Sequence, residues 1–390
     1  MATSAAPRGR AGQWLGWAGP ALLAAVMVAL LLWLDPIGSL REVPPVEEVA
    51  IERTVLNEGE IRLDLRNDGP DPVTISQVLV DDAYWSFDVG DSTLGRLEST
   101  TLSIPYPWDD GLPLHVSLLT STGARVDHAI EVAALTPESN AGTLGVYALL
   151  GVYMGVLPIA IGLLWFPSLR RASRRAIGFF LAFTVGLLAF LLVDTVGEGL
   201  ELAGEAGAAL DGAGLFAIGA LIALAALFFL EAELRRRSTA TQGLVLAYLV
   251  AAGIGLHNLG EGLAVGAALA AGEVALGTFL VAGFALHNTT EGLAIVAPLG
   301  REGQRPGLRH LAALGCLAGV PTIAGAWAGG FAFSPAPAAL AFGVAAGAIA
   351  QVVWAIARST RDEEGLTSRW GAAGFVVGLL VMYSTGLLTA

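Results

Sequence analysis

The strongest constraint in the sequence is a series of apolar stretches of about 20 residues, each long enough to cross a bilayer as a helix. Nine such stretches lie at approximately 15–34, 143–166, 176–196, 213–232, 242–268, 274–298, 309–331, 337–357 and 371–389. With 55% hydrophobic and 14% charged residues in 390, the chain is also too apolar for a water-soluble protein. We therefore expect a mainly α-helical integral membrane protein with one helix, a gap and then eight helices.

The gap has a different pattern, with short alternating runs between about residues 45 and 135. The runs Ile61 to Leu65 and Val73 to Val80 are separated by the turn residues Asn67 to Pro70. Period-two runs bounded by turns predict antiparallel strands, here a small β-sandwich. Its histidines, His115 and His128, have no Cys or Met partner and are expected to be ordinary surface residues.

The predicted domains are residues 1–38, a cytoplasmic N-terminus and membrane anchor; 39–140, a β-sandwich; and 141–390, an eight-helix body. A cleaved signal peptide is the alternative for the first segment. Its apolar stretch is longer than the 7 to 15 residues of such peptides, and Asp35 to Gly38 is a poor cleavage site, so an uncleaved anchor is favoured.

Arginines predict the orientation, because short arginine-rich loops face the cytoplasm. They cluster before the first stretch and in every second loop of the body, at Arg8, Arg10, Arg170, Arg171, Arg174, Arg175, Arg235, Arg236, Arg237, Arg301, Arg305, Arg309, Arg358, Arg361 and Arg369. The distribution predicts a multi-pass protein of the cytoplasmic membrane, with the β-sandwich outside and the helical body beginning and ending outside.

A duplicated polar motif lies inside two neighbouring apolar stretches. The block His257-Asn258-Leu259-Gly260-Glu261-Gly262 recurs 30 residues later as His287-Asn288-Thr289-Thr290-Glu291-Gly292. An ionisable side chain at mid-membrane costs roughly 2.5 to 3.5 kcal/mol, so four of them indicate a function. In each copy the His, Asn and Glu share one helical face. The short connection around Gly272 predicts antiparallel neighbours whose polar faces meet.

Imidazole, amide and carboxylate ligands suit Zn²⁺, Fe²⁺ or Mn²⁺ rather than Cu⁺. A hydrogen bond between helices would explain a single His-Asn pair, but the matched second copy favours a metal site. A metalloprotease motif is excluded, because it needs two histidines four residues apart. We also expect Gly262 and Gly292 to allow close helix contact and Gly260 to loosen its helix.

Four carboxylates, Asp194, Glu198, Glu201 and Glu205, fall on one face of the third apolar stretch and its extension. They could gather cations at an entrance, or simply form a solvated helix end. Asp194 and Glu198 are deep enough in the apolar stretch to be candidate residues of an ion pathway.

At the duplicated motif the chain resembles the ZIP divalent-metal transporters, notably their bacterial members, whose fourth and fifth helices carry His-Asn-x-Pro-Glu-Gly. The resemblance covers residues 143–390, an eight-helix ZIP-like bundle, and leaves out the anchor and the β-sandwich. It implies that the transport-site ligands are His257, Asn258, Glu261, His287, Asn288 and Glu291.

The sequence departs from the family at several positions. Gly260 and Thr290 replace the motif proline, and Gly319, Ala355 and Ile356 stand where relatives often have carboxylates. These departures suggest one, less negative site. Gln351 is either a weak substitute ligand or an amide that bonds across helices.

The expected function is inward transport of a divalent transition-metal ion by alternating access, with zinc first and iron or manganese as alternatives. A second reading is a degenerate relative that senses metal without moving it. An enzyme is not expected, since no nucleophile or spare base accompanies the motif. The expected partners are metal ions and membrane lipid, with no resident cofactor and no nucleic acid. The sequence leaves open whether a homodimer forms.

Overall fold

The computed structural model describes residues 10–34, 45–237, 242–300, 306–359 and 367–387. The first apolar stretch forms helix α1, Arg10–Leu34, with Pro20 inside it. The predicted domain boundary at residue 38 lies outside the described residues, as do Arg8, Arg301, Arg305 and Arg361.

The second segment forms the predicted β-sandwich, called the β-domain below. Its strands are β1 Val49–Asn57, β2 Glu60–Asn67, β3 Val73–Val80, β4 Ala83–Trp85, β5 Asp88–Val89, β6 Thr93–Leu94, β7 Ser99–Ile104, β8 Leu114–Thr120 and β9 Arg125–Ile130. One antiparallel sheet has the order β1-β2-β7-β5, and the other has β4-β3-β8-β9 with β6 paired to β3. Alternate residues such as Leu63, Leu102 and Leu118 are fully buried between the sheets.

The two histidines of the β-domain differ in environment. His115 is exposed, as expected. His128 is not an ordinary surface residue, because it is half-buried on β9 with its Nε2 2.8 Å from Thr54 Oγ1. Burial lowers the pKa of His128.

Helices follow to the end of the described chain. They are α2 Ala141–Gly151, a π-helical turn Val152–Val156, α3 Leu157–Leu163, α4 Phe166–Arg170, α5 Arg174–Glu205, a 3-10 turn Ala208–Leu210, α6 Gly212–Arg237, α7 Gln242–Ala270, α8 Val274–Gly300, α9 Leu308–Gly319, α10 Pro321–Ala332, α11 Pro335–Ser359 and α12 Arg369–Gly386. In the described part, seven helical segments are long and apolar enough to cross a membrane. The chain is therefore a multi-pass membrane protein.

Two predicted spans are interrupted in the middle. The π-helical turn separates α2 from α3, and the break before Pro321 separates α9 from α10. Pro321 has no amide hydrogen to donate and cannot continue the preceding helix without strain. The two interruptions touch, since a Cβ placed on Gly319 would lie 2.8 Å from Val156 Cα.

The helices pack in two groups. One contains α2, α3, α7, α8 and α10, and the other contains α5, α6, α11 and α12, with α11 also packed against α7. Helix α7 is the most enclosed of the seven, with 72% of its apolar stretch buried. It therefore lies at the centre of the bundle.

Glycines set the closest contacts of the motif helices. A Cβ on Gly262 would lie 2.8 Å from Ala326 N of α10, and one on Gly292 would lie 2.8 Å from Gly162 Cα of α3. The expectation of close helix contact is confirmed. The expected loosening at Gly260 is wrong, because α7 is continuous there and the Phe342 ring fills the space beside it.

The β-domain contacts one end of the bundle, called the β-domain end below. Arg66 Nη2 donates to Ala206 O over 3.0 Å just beyond α5, and Asp68 Oδ2 accepts from Ala209 N over 2.9 Å. Arg53 Nη1 donates to Phe331 O near the end of α10 over 2.6 Å. The β-domain is thus bonded to both helix groups.

Candidate metal-binding site

The two motif copies meet where α7 and α8 run side by side. Glu261 Oε1 is 3.2 Å from His257 Nε2 on its own helix and is also hydrogen-bonded to His287 Nε2 of α8. All three side chains are buried, with 3 to 6% of each residue exposed. Because His and Glu are four residues apart in each copy, they share one face of their helix, and the two faces meet in the interior as the sequence predicted.

Asn288 completes the surroundings of Glu261. Its Nδ2 donates to Glu261 Oε2 over 2.8 Å and to Met154 O over 2.8 Å. Met154 belongs to the π-helical turn, and four residues on is Pro158, which has no amide hydrogen to donate to this carbonyl. The carboxylate of Glu261 therefore has three protein partners.

Glu291 has the opposite environment. It is fully buried, yet neither carboxylate oxygen makes a hydrogen bond within the described part of the chain. The Asn258 side chain approaches it without reaching hydrogen-bond geometry and instead donates from Nδ2 to Ala318 O over 3.1 Å. Buried carboxylates are rarely left without a partner, so Glu291 needs an explanation.

Four buried oxygens of the motif lack hydrogen-bond partners among the described residues. They are both carboxylate oxygens of Glu291 and the Oδ1 atoms of Asn258 and Asn288. All four are acceptors, so they are complementary to a cation or to hydrogen-bond donors.

The spacing of the potential ligands fits one ion. Ligand atoms of His257, His287 and Glu291 all lie within 4.8 Å of one another. Atoms bound to one Zn²⁺ at about 2.0 to 2.2 Å are at most about 4.4 Å apart, so a small inward shift would complete the coordination. Two carboxylates would balance the charge of a dication.

Thr195 of α5 is a site residue that the motif did not reveal. Its Oγ1 lies 3.0 Å from His257 Nδ1, on the side of the ring opposite Glu261, and 2.7 Å from Leu191 O. The only signal in the sequence is a polar residue beside Asp194 in an apolar stretch. Met154 and Ala318 contribute backbone carbonyls, which no side-chain pattern indicates.

The pathway candidates on α5 lie toward the β-domain end. Glu198 is half-buried and close enough to Glu261 and Asp194 for their charges to interact. Asp194 itself is exposed. Glu198 is therefore the more enclosed of the two.

Gln351 lies in a different cluster. Its Nε2 donates to Glu231 Oε2 over 2.8 Å, and Glu231 is also paired with Arg235 at 2.9 Å and Arg358 at 2.6 Å. The structure thus gives Gln351 the role of an amide bonding across helices, the second of its two readings. No pattern in the sequence indicates that Gln351 pairs with Glu231.

Thr290 stands where the ZIP motif has a proline, and helix α8 is not interrupted there. Its Oγ1 donates to His287 O over 2.7 Å, and α8 is continuous through both. The other departures are apolar or packed: Ala355 and Ile356 are buried, and Gly319 lies against Val156.

Comparisons with known proteins add no family to these observations. No protein-family model matches the chain, and no curated protein matches it. Among solved structures, the archaellum periplasmic stator protein FlaG from Sulfolobus acidocaldarius is similar over 22% of this chain and 99% of its own. The match has 11% identity and a TM-score of 0.20, and it carries no argument about this protein.

Proposed function

We propose that the protein is a ZIP-type carrier that moves a divalent transition-metal ion, with Zn²⁺ as the leading candidate, across the cytoplasmic membrane. The observation that carries the proposal is Glu291, a buried carboxylate with no hydrogen-bond partner among the described residues, whose ligand atom lies within 4.8 Å of those of His257 and His287. Each buried polar atom without a partner costs about 1 to 3 kcal/mol. A cation bound between Glu291 and the two rings would remove that cost for the carboxylate.

The chemistry of the ligands favours release as well as binding. Neither motif copy contains a thiolate, and thiolate cages are typical of permanent structural zinc. A mixed set of imidazole, amide and carboxylate ligands is suited to an ion that is exchanged. Transporter sites of this kind lie near the membrane midplane and open to either side in turn.

The proposed orientation places the β-domain outside the cell. It follows from the arginine distribution of the loops. Inward transport follows from the resemblance to the ZIP family. Glu198, between the site and the β-domain end, would receive the ion before the motif does.

Zinc uptake into proteoliposomes that contain a zinc-sensitive dye tests the proposal. Glu291→Ala, and Glu291→Ala combined with Glu261→Ala, should reduce zinc-dependent uptake at least tenfold, because the ion loses its carboxylate ligands. Glu233→Ala is the matched control, since Glu233 forms a peripheral ion pair with Arg236. Wild-type uptake by the double variant would rule out the proposal.

A metal sensor without transport is the second candidate. The bonds from Arg66 to Ala206 and from Asp68 to Ala209 attach the β-domain just beyond α5, the helix that carries Thr195 and Glu198. A change at the site therefore has a short path to the β-domain. Zinc binding by the wild-type protein without any uptake would select this candidate.

A further inference from the structure

Thr195 occupies a place between two hydrogen-bonding groups. Its Oγ1 is 2.7 Å from Leu191 O and 3.0 Å from His257 Nδ1, and both side chains are buried. Thr184, also buried on α5, makes the same bond one turn back, donating its hydroxyl to Phe180 O over 2.9 Å. The bond to a carbonyl one turn back is therefore ordinary for this helix, and the histidine contact is specific to Thr195.

The Thr195 hydroxyl can pair with His257 Nδ1 in two arrangements, one for each direction of the hydrogen bond. A hydroxyl has one hydrogen to donate, and a neutral imidazole has a hydrogen on one of its two nitrogens. In the first arrangement, His257 Nε2–H donates to Glu261 and the Thr195 hydroxyl donates to Nδ1. In the second, Nδ1–H donates to Thr195 Oγ1 and the hydroxyl hydrogen turns to Leu191 O. Because Leu191 O is within reach, both arrangements leave Nδ1 paired.

We propose that Thr195 is a positioning residue that holds the His257 ring in the orientation in which Nε2 faces the cation site. Its hydroxyl pairs with Nδ1 in either arrangement, while Nε2 lies beside Glu261 on the other side of the ring. A histidine whose second ring nitrogen is held by a hydrogen bond presents its first nitrogen to a metal ion already oriented.

The proposal rests on the proposed function for the identity of the ion. The hydrogen bond between Thr195 and His257 in the ion-free protein does not depend on it. The loss of a group that orients a ligating histidine typically weakens metal binding by about 10- to 100-fold. We therefore expect Thr195→Val, which keeps the shape and removes the hydroxyl, to weaken Zn²⁺ binding within that range. Thr195→Ser keeps the hydroxyl and should bind within about threefold of wild type.

Thr184→Val is the matched control, because it removes a buried hydroxyl from the same helix without a histidine partner. It should leave Zn²⁺ affinity unchanged. If Thr195→Ser weakens binding as much as Thr195→Val, the methyl contacts and not the hydroxyl matter, and the proposal fails.

Nitrogen NMR of protein labelled with ¹⁵N-histidine reports the hydrogen bond at Nδ1 directly. The His257 signals are those missing from His257→Gln. In ion-free Thr195→Val, the Nδ1 resonance should move away from its wild-type position, because Nδ1 loses its hydrogen-bond partner.

The outcomes separate this proposal from the proposed function. Identical His257 signals in ion-free wild type and Thr195→Val would overturn the role of Thr195, whatever binds at the site. A wild-type protein that binds no Zn²⁺ would refute the proposed function, while the ion-free comparison would still decide whether Thr195 holds the ring.

Discussion

Glu261 and Glu291 occupy the same position in two copies of one motif, and their surroundings are opposite. Glu261 is hydrogen-bonded to His257, His287 and Asn288, whereas both oxygens of Glu291 are unpaired among the described residues. The comparison teaches that the duplication is not a pair of equal half-sites. In the ion-free protein the Glu261 carboxylate joins the two helices, and the Glu291 carboxylate stays available as an acceptor.

The largest expected difference is in stability without metal. Glu261→Met would remove the acceptor that His257, His287 and Asn288 share, at about 1 to 3 kcal/mol for each hydrogen bond lost, so it should lower the free energy of unfolding by several kcal/mol. Glu291→Met replaces an unpaired buried carboxylate by an apolar side chain of similar size and should raise the free energy of unfolding. Thermal unfolding in detergent with a chelator present measures both.

Zinc should reverse the order of stability between the wild-type protein and Glu291→Met. A ligand at about 100 times its dissociation constant stabilises the wild-type protein by about 2.7 kcal/mol, and a variant without the site gains nothing. If Glu261→Met and Glu291→Met changed the free energy of unfolding equally, with or without zinc, the different roles of the two carboxylates would be contradicted.

The two motif asparagines should show a smaller difference in the same direction. Asn288 donates to Glu261 and to Met154 O, whereas the bond found for Asn258 is to Ala318 O. Asn288→Ala should therefore destabilise the ion-free protein by about 1 to 3 kcal/mol and Asn258→Ala by about 1 kcal/mol. Chemical unfolding of the two variants side by side tests this order, and a larger loss for Asn258→Ala would show that Glu261 does not depend on its amide partner.

The smallest expected effect concerns the half-buried His128, whose hydrogen-bond partner is the Thr54 hydroxyl and not a carboxylate. Burial lowers the pKa of His128, so the folded β-domain favours the neutral ring. The stability from this preference is present above the unfolded pKa of about 6.5 and is lost as the pH falls through the lower folded pKa. Protection of β8 and β9 from hydrogen exchange should thus decrease between pH 7 and 5.

His128→Gln should remove part of that decrease, and His115→Gln, on an exposed neighbour in the same sheet, should not. Comparing each variant with wild type at the same pH cancels the intrinsic pH dependence of exchange. Equal pH profiles for wild type and His128→Gln would show that His128 makes no contribution.

The parts of the fold that follow from long patterns were predictable. Apolar length gave the membrane helices, and strand alternation gave the β-sandwich, because each depends on repeated local chemistry. The meeting of the two motif copies followed from their shared offset and short connection. Pro321 was a visible signal for the break in its span, although the expectation treated residues 309–331 as one helix.

The rest depends on three-dimensional contacts that the sequence does not encode locally. Glu261 shares its amide partner, Asn288, with Met154 O, which is 134 residues away from Asn288 in the chain. Gln351 bonds to Glu231, 120 residues away in the chain. His128 likewise contacts Thr54, 74 residues away.

The glycine contacts between α7 and α10 have a mechanical consequence. Gly262 and Gly266 of α7 face the α10 backbone, and Gly325 and Gly329 of α10 face the α7 backbone. At these positions no side chain lies between the two backbones, which are therefore in direct contact. His257 and Glu261 are held close to α10 by these contacts, so in the proposed carrier the smallest moving part would be the pair α7 and α10.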